Sequence, residues 1–182
     1  MLVFSPLFEL MRVLKPLAVI IVLGVIIAVF YQMVLFPMLF GKAKILTMID
    51  PDSLLVRENG KVFKVQLIGA DAPELTGYAK SHQCYDYQAL QKAAEFFKTS
   101  REISLSIDAT AGEKDTYGRE LRYVTMVDGT IYNLKLIQNG LAKESNPQKK
   151  DYKYKDDFLK AEAGAQKSGI GIWNPATCGG KF

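Results

Sequence analysis

The chain has 182 residues, a length that suits one domain with an appendage and excludes a large multidomain enzyme. Lys and Arg number 23 against 19 Asp and Glu, so the formal net charge of +4 is mildly basic and does not by itself indicate a nucleic-acid partner. A hydrophobic fraction of 49% excludes wholesale disorder, and one histidine with two cysteines excludes a zinc cage of His and Cys ligands.

A long apolar run lies near the start of the chain. No charged residue occurs between Lys15 and Lys42, and residues 17–40 are almost entirely apolar. About 20 apolar residues suffice for a helix to cross a bilayer, so the run predicts one transmembrane helix. The alternatives are a signal peptide, whose apolar core is usually ~7–15 residues long, and a buried helix of a soluble protein. We expect an N-terminal segment, residues 1–41, to anchor a domain of residues 42–182 to a membrane.

The domain begins with three predicted strands, separated by the turn signals Asp-Pro-Asp and Asn-Gly. These strands cover residues 44–49, 53–57 and 61–68. In the third strand, Lys64 and Gln66 alternate with apolar residues, so one face is polar and the other apolar. The polar face of this meander is therefore open to a site.

The remaining elements are helices inserted between and after further strands. Apolar residues at helical spacing predict helices over 86–98, 133–139 and 154–167, and strands are predicted over 102–107 and 121–127. Five strands with helices between and after them indicate the α+β class. We expect a five-stranded β-barrel of the OB type with about three helices, preceded by the transmembrane helix.

Four carboxylates lie in two loops that the meander brings together. Asp50 and Asp52 bracket the first turn, and Asp71 and Glu74 follow the third strand. Calcium takes several oxygen ligands from carboxylates and carbonyls, so the four acids suit a site for a hard cation. Ordinary turn residues are the alternative, because Asp is common at turns for local hydrogen-bonding reasons.

Five longer segments follow one another along this domain between Lys44 and Trp173. They are IDPDSLLV, VQLIGADAPE, DTYGREL, GTIYNLKLIQNGLAK and AEAGAQKSGIGIW. In this order they resemble the successive motifs of the staphylococcal nuclease (thermonuclease) family. The resemblance implies a barrel with three helices that binds single-stranded DNA or RNA and hydrolyses phosphodiester bonds with the help of Ca²⁺.

The resemblance also implies roles for individual residues. Asp52 and Asp71 match the two carboxylate ligands of calcium, and the backbone carbonyl of Ala72 matches the third protein ligand. Glu74 matches the glutamate that orients or deprotonates the attacking water. Arg119 matches one of two arginines that bind the scissile phosphate, a task that suits its planar fork.

The second arginine of the family pattern is replaced by Gln66. Glutamine keeps the ability to form hydrogen bonds but carries no charge, and loss of one such contact typically costs ~2.7–4 kcal/mol of transition-state stabilisation. Lys64 lies on the same strand face and is a candidate for a substitute charge, although it binds phosphate as a point charge. A serine, Ser53, stands where the family usually has threonine, so the hydroxyl group is kept.

Three tyrosines are candidates for contact with the substrate. Tyr117 lies just before Arg119, and Tyr152 and Tyr154 follow a lysine-rich loop. Aromatic rings in a basic groove bind single strands by stacking on the bases. The alternative for the run 149–155 is a solvated loop that leads into a helix.

Cys84 and Cys178 are the two cysteines of the chain. Their even number and the predicted anchor favour a disulfide, which forms in an oxidising compartment, over two free thiols. A disulfide would put the domain outside the cytoplasm, as part of a single-pass membrane protein.

Three function classes follow from these observations. The first is a membrane-anchored, calcium-dependent nuclease that acts as a monomer on DNA or RNA. The second is a module of the same fold that binds nucleic acid or protein without catalysis, which Gln66 favours. The third is a structural or adaptor domain. Because Asp52, Asp71, Glu74 and Arg119 are all present, we favour the enzyme.

Overall fold

The computed structural model of this chain describes residues 19–30, 42–75, 83–147 and 149–182. The chain divides into two units, Met1–Phe40 and Gly41–Phe182.

The described part of the first unit, residues 19–30, is helical, and its large apolar side chains are exposed. None of the helices in the described ranges is both long and apolar enough to cross a membrane. The predicted span of 17–40 extends beyond this helical segment on both sides, and those parts lie outside the described residues.

The described residues of the second unit contain seven strands. They are β1 (Lys42–Asp50), β2 (Ser53–Glu58), β3 (Lys61–Leu67), β4 (Ala70–Asp71), β5 (Glu102–Ser106), β6 (Glu120–Met126) and β7 (Lys143–Glu144). Five of them close into a barrel in the order β1–β2–β3–β6–β5, with β5 pairing back to β1. This confirms the predicted five-stranded barrel. Strands β3 and β6 are parallel, and the other neighbours in the barrel are antiparallel.

Three α-helices accompany the barrel within the described residues from 42 onward, as predicted. They are α1 (Asp86–Glu95), α2 (Tyr132–Gln138) and α3 (Lys155–Ser168), followed by a 3₁₀ turn at Gly171–Trp173. Helix α1 ends before the predicted residue 98. The N–H groups of Phe96, Phe97 and Lys98 donate to carbonyls three residues earlier, so the last turn has 3₁₀ geometry.

The core fills the inside of the barrel and the space between the barrel and α2 and α3. Its fully buried side chains include Leu54, Val56, Val65, Val124, Leu136, Ile137 and Phe158. The alternation predicted for β3 is present, because Val65 and Leu67 are buried whereas Lys64 is exposed and Gln66 is half-buried. The polar face of β3 therefore points away from the core.

A glycine allows the chain to pass from β3 into β4. Gly69 has a φ of +73°, and a Cβ atom at this position would lie 2.8 Å from ring atoms of both Phe158 and Tyr152. Only a residue without a side chain fits this left-handed, crowded position. The turn starts β4 directly, and β4 pairs with β7 so that Asp71 lies opposite Lys143.

The C-terminal tail is joined to the start of α1. Cys84 and Cys178 form a disulfide across a sequence separation of 94 residues. The tail is also held to the domain by Ile172, which is fully buried and donates its N–H to the carbonyl of Gly140 at 2.9 Å. The disulfide therefore links two segments that are far apart in the chain.

We predict that the double variant Cys84→Ser/Cys178→Ser has a free energy of unfolding about 2–4 kcal/mol lower than the natural chain, because the long loop is no longer closed in the unfolded state. Urea unfolding with and without a reducing agent would measure this difference. The reducing agent should destabilise the natural chain and leave the double variant unchanged. Equal stability of the two proteins under oxidising conditions would contradict the prediction.

Candidate active site

The first barrel turn and the segment after β4 are tied together by two carboxylates. Asp52 is 4% exposed, and its Oδ2 accepts a hydrogen bond of 3.0 Å from the N–H of Ala72. Asp50 accepts a hydrogen bond of 2.7 Å from the N–H of Leu75. The two loops that were predicted to meet are therefore in direct contact.

The acids of this region influence one another electrostatically. Burial raises the pKa of Asp52 to about 7, and the charges of Asp71 and Asp50 contribute to the increase. Hydrogen bonds from the Ala72 N–H and Gln66 lower this pKa but do not outweigh burial. Burial also raises the pKa of Asp50 and Asp71, and the charge of Glu74 contributes to both increases. Four acids thus share one electrostatic environment, which a bound cation would stabilise.

The groups beside the first barrel turn suit a hard cation that completes its coordination with water molecules. Asp52, Asp71 and the carbonyl of Ala72 offer oxygen atoms only, as calcium prefers. In the described ranges, no three Asp, Glu, His or Cys side chains form a cluster that could hold a metal. The predicted ligand set contains only two carboxylates, so it does not require such a cluster. The oxygen donors and the mutual repulsion of the acids fit the predicted ion.

Arg119 is fixed by three contacts beside these acids. Its Nε donates to Asp115 Oδ2 at 2.5 Å, and its Nη1 donates to Ser53 Oγ at 3.0 Å. The ring of Tyr117 lies 5.4 Å from the guanidinium carbon. Because Ser53 follows Asp52 directly, these contacts bring the predicted phosphate-binding arginine to the turn that carries the predicted metal ligand.

Gln66 belongs to the same network. The hydroxyl of Ser53 donates to Gln66 Oε1 at 2.7 Å while its oxygen accepts from Arg119. Ser53 is 4% exposed and pairs with Gln66 across β2 and β3. The residue in place of the family's second arginine is therefore linked to the first arginine through one buried hydroxyl group.

A cavity of about 310 Å³ opens next to this network. Its lining includes Gln66, Asp71, Tyr117, Arg119, Lys150 and Tyr152. The lining thus contains both acidic and basic side chains, and it includes the end of β3 and the turn to β4. Its size and its mixed polar and apolar walls suit a small organic group such as a nucleotide.

Several predicted site residues are exposed on the surface. Glu74 and Lys64 are exposed, and Tyr117 is 84% exposed. Lys64 lies two residues before Gln66 on the same face of β3, as predicted. These positions are open to solvent and to a large substrate.

Tyr152 and Tyr154 do not offer fully exposed rings, and their contact with a substrate stays a prediction. Tyr152 is 8% exposed, and its hydroxyl donates to Glu144 Oε1 at 2.7 Å. The ring of Tyr154 packs against Phe158 and, edge to face at 4.8 Å, against Tyr123. Tyr152 is part of the core and Tyr154 packs against it, a feature that the local sequence does not reveal.

The sequence analysis missed Asp108. Its carboxylate is buried and accepts hydrogen bonds from the Tyr123 hydroxyl at 2.7 Å, the Lys153 N–H at 2.8 Å and Thr110. Burial acts to raise its pKa, but these hydrogen bonds outweigh it and hold the pKa well below the usual range. Asp108 thereby joins the loop that leads to Arg119 to the start of α3. The only local signal is the Asp-x-Thr pattern, which also occurs in ordinary turns.

Comparison with known proteins gives consistent matches. The family model described as "Staphylococcal nuclease homologue" matches residues 64–175. The thermonuclease of Staphylococcus hyicus is 33% identical over 134 residues, which cover 72% of this chain and 75% of that protein. The thermonuclease of Staphylococcus intermedius is 34% identical over 128 residues, which cover 69% of this chain and 71% of that protein. Endonuclease YncB of Bacillus subtilis is 31% identical over 126 residues, which cover 69% of this chain and 58% of that protein.

We predict that Asp108→Asn lowers the free energy of unfolding by about 2–3 kcal/mol at neutral pH, because hydrogen bonds to a charged acceptor are lost. The pKa of Asp108 is lowered in the folded state, so its contribution is present above the unfolded pKa of about 3.9 and is lost as pH falls further. Urea unfolding at several pH values would measure both proteins.

The difference in stability between the two proteins should shrink below about pH 4. Asp157→Asn, which changes an exposed carboxylate on α3, is the control and should cost less than about 1 kcal/mol. A constant difference from neutral to acidic pH would contradict the role of the Asp108 charge.

Proposed function

This chain belongs to the family of staphylococcal nuclease homologues, and from that premise we propose that it is a calcium-dependent nuclease. We also propose that its N-terminal segment holds it at a membrane. The family match and the nuclease-named relatives identify the chain as a nuclease, a phosphodiesterase. Calcium dependence, the roles of single residues and the membrane location are the parts that we propose.

One observation carries the proposal. Arg119 donates to Ser53, which directly follows the buried Asp52, and Asp52 in turn accepts a hydrogen bond from Ala72, next to Asp71. The arginine that we propose for phosphate binding and the oxygens that we propose for metal binding are therefore joined through one short turn. This combination suits a phosphodiester, whose charge needs both kinds of partner in the transition state.

The residues of the site have separate tasks in this proposal. Asp52, Asp71 and the carbonyl of Ala72 would hold the cation. Calcium, when bound, would screen the phosphate charge and polarise a phosphoryl oxygen. Glu74 is exposed and so has access to water, which it would orient or deprotonate for attack.

Arg119 would bind the phosphate and stabilise the charge that develops on it. Asp115 and Ser53 hold its guanidinium in place, so little reorganisation is needed when a substrate arrives. The exposed Tyr117 beside it is available to contact the sugar or base of a single strand.

The substitution at Gln66 favours a second candidate, a module that binds nucleic acid or protein without cleaving it. Gln66 brings no charge to the phosphate, and its side-chain oxygen already accepts the Ser53 hydroxyl. We place this candidate second, because Asp52, Asp71, Glu74 and Arg119 are all present.

Two observations support the proposed location. The apolar run of 17–40 is long enough to cross a bilayer, and its described part is helical with exposed apolar side chains. The disulfide between Cys84 and Cys178 is the kind of bond that persists in an oxidising compartment.

We propose a monomeric, single-pass membrane protein whose domain lies outside the cytoplasm. Tryptic shaving of intact cells would test this, and a protected domain would contradict it.

We predict that the purified full-length chain degrades single-stranded DNA and RNA with calcium and not with a chelator. Glu74→Gln should lower kcat by about 10²–10⁴-fold, because the group that activates water is lost. Release of acid-soluble nucleotides would measure the rate. Glu95→Gln, on the exposed face of α1, is the control and should keep full activity. Cleavage that survives both the chelator and Glu74→Gln would contradict the proposal.

We predict that Gln66→Arg raises kcat/KM by about 10²-fold, because a second charged fork then contacts the phosphate. Gln66→Lys should raise it less, since an ammonium group lacks the bidentate geometry. The same cleavage assay would measure all three proteins. Activity that appears only in Gln66→Arg would instead support the module that binds without catalysis.

Lys64 is the proposed substitute for the missing charge. Lys64→Ala should then lower kcat/KM about tenfold, whereas Lys61→Ala, an exposed lysine on the opposite face of β3, should have little effect. Equal effects of the two changes in the cleavage assay would overturn this role.

A further inference from the structure

The backbone that carries Glu74 is held by two side chains from different parts of the domain. The N–H of Glu74 donates to Gln83 Oε1 at 2.6 Å, and the N–H of Leu75 donates to Asp50 Oδ1 at 2.7 Å. Two consecutive amide groups are thus bound from the first barrel turn on one side and from the approach to α1 on the other. We refer to these two hydrogen bonds as the Glu74 clamp.

The clamp residue Gln83 is itself anchored through its neighbours. It directly precedes Cys84, which is bonded to Cys178. Its carbonyl accepts the N–H of Asp86 at 3.3 Å, where α1 begins. Tyr85, between them, has a φ of +72°, so the chain makes a tight left-handed turn into the helix. Movement of Gln83 is therefore restricted by the disulfide and by the start of α1.

The other half of the disulfide lies in a tail that is bound to the domain. The N–H of Gly180 donates to the carbonyl of Ile172 at 2.7 Å, and Ile172 is fully buried. The Thr177 hydroxyl donates to the carbonyl of Gly171 at 3.0 Å. Cys178 is thus fixed on both sides, and the disulfide transmits that fixed position to Cys84 and Gln83.

We propose that Gln83 is a positioning residue for Glu74, and that the Cys84–Cys178 disulfide holds Gln83 where its side-chain oxygen can bind the Glu74 N–H. This inference rests on the proposed function, because it concerns the residue that would activate water. Gln83 does not contact the reacting atoms. It acts by fixing the backbone from which the Glu74 carboxylate extends.

The chemistry of the contact explains why an uncharged amide suits this position. Glu74 lies beside Asp50 and Asp71, and its charge contributes to the raised pKa of both of these carboxyls. A glutamine accepts the N–H without adding a further negative charge to this group. Glu74 is exposed, so few packing contacts hold it. The Glu74 clamp instead fixes its backbone. A displacement of about 1 Å at such a residue is enough to lower a rate by up to about 10²-fold.

The test uses Gln83→Met in the full-length chain, because methionine keeps the length of the side chain and removes the acceptor. We expect kcat to fall about tenfold, with KM and the calcium concentration for half-maximal activity changed less than about twofold. The exchange rate of the Glu74 amide hydrogen, measured by NMR, should rise about tenfold, because its acceptor is gone. Gln83→Glu, which keeps an oxygen acceptor but adds a negative charge, should retain slow exchange of the Glu74 amide hydrogen.

Two comparisons separate a positioning role from general destabilisation. Gln91→Met, on the exposed side of α1, should change neither kcat nor the exchange rate. Cys84→Ser/Cys178→Ser should lower kcat in the natural chain and add little further loss to Gln83→Met, because both changes act through the same hydrogen bond. Fully additive losses would overturn the link between the disulfide and Gln83.

The remaining outcomes are also decisive. Normal kcat in Gln83→Met, with or without faster exchange of the Glu74 amide, would overturn the positioning role. Absence of any calcium-dependent cleavage by the natural chain would overturn the proposed nuclease mechanism, and the positioning role with it. The exchange rates are measured without substrate, so they distinguish a missing hydrogen bond from a missing enzymatic activity.

Discussion

The hydrogen bond between the buried Asp52 carboxylate and the N–H of Ala72 is the interaction on which the rest of the site depends. A buried acid without such a partner would be costly, so the barrel turn and the segment after β4 must stay together. The contact sets Asp52 beside Asp71, and Ser53 then meets Arg119. This single junction therefore positions both the oxygen atoms proposed to bind calcium and Arg119, which is proposed to bind the phosphate.

The replacement of an arginine by Gln66 changes the balance of charge at the junction. Four acids lie at this junction, and burial and mutual repulsion raise the pKa of three of them. A second arginine would offset part of this negative charge, whereas the uncharged Gln66 accepts a hydrogen bond from Ser53 and forms one with Asp52. In the proposed function, the domain would therefore depend more strongly on a bound metal ion to bind a phosphate.

Stability and chemistry are connected through the periphery of the barrel. The disulfide joins the tail to α1, and the neighbouring Gln83 binds the backbone of Glu74. On the other side, Asp108 ties the loop that carries Arg119 to the start of α3. The segments that carry Glu74 and Arg119, the residues proposed for catalysis, are both loops, so each needs such ties to keep its position against the rigid barrel.

Local patterns in the sequence were sufficient for the barrel and for the residues on its polar face. Alternation in β3 separates Val65 from Gln66, and helical spacing predicts α1 to α3, because both periods are properties of a few neighbouring residues. Strands β4 and β7 have only two residues each, too few to show a period. The burial of Tyr152, the hydrogen bonds of Asp108 and the contact between Gln83 and Glu74 were decided by the tertiary structure alone. Each depends on which distant segment packs against the residue, and a side chain's own neighbours in the chain carry no information about that.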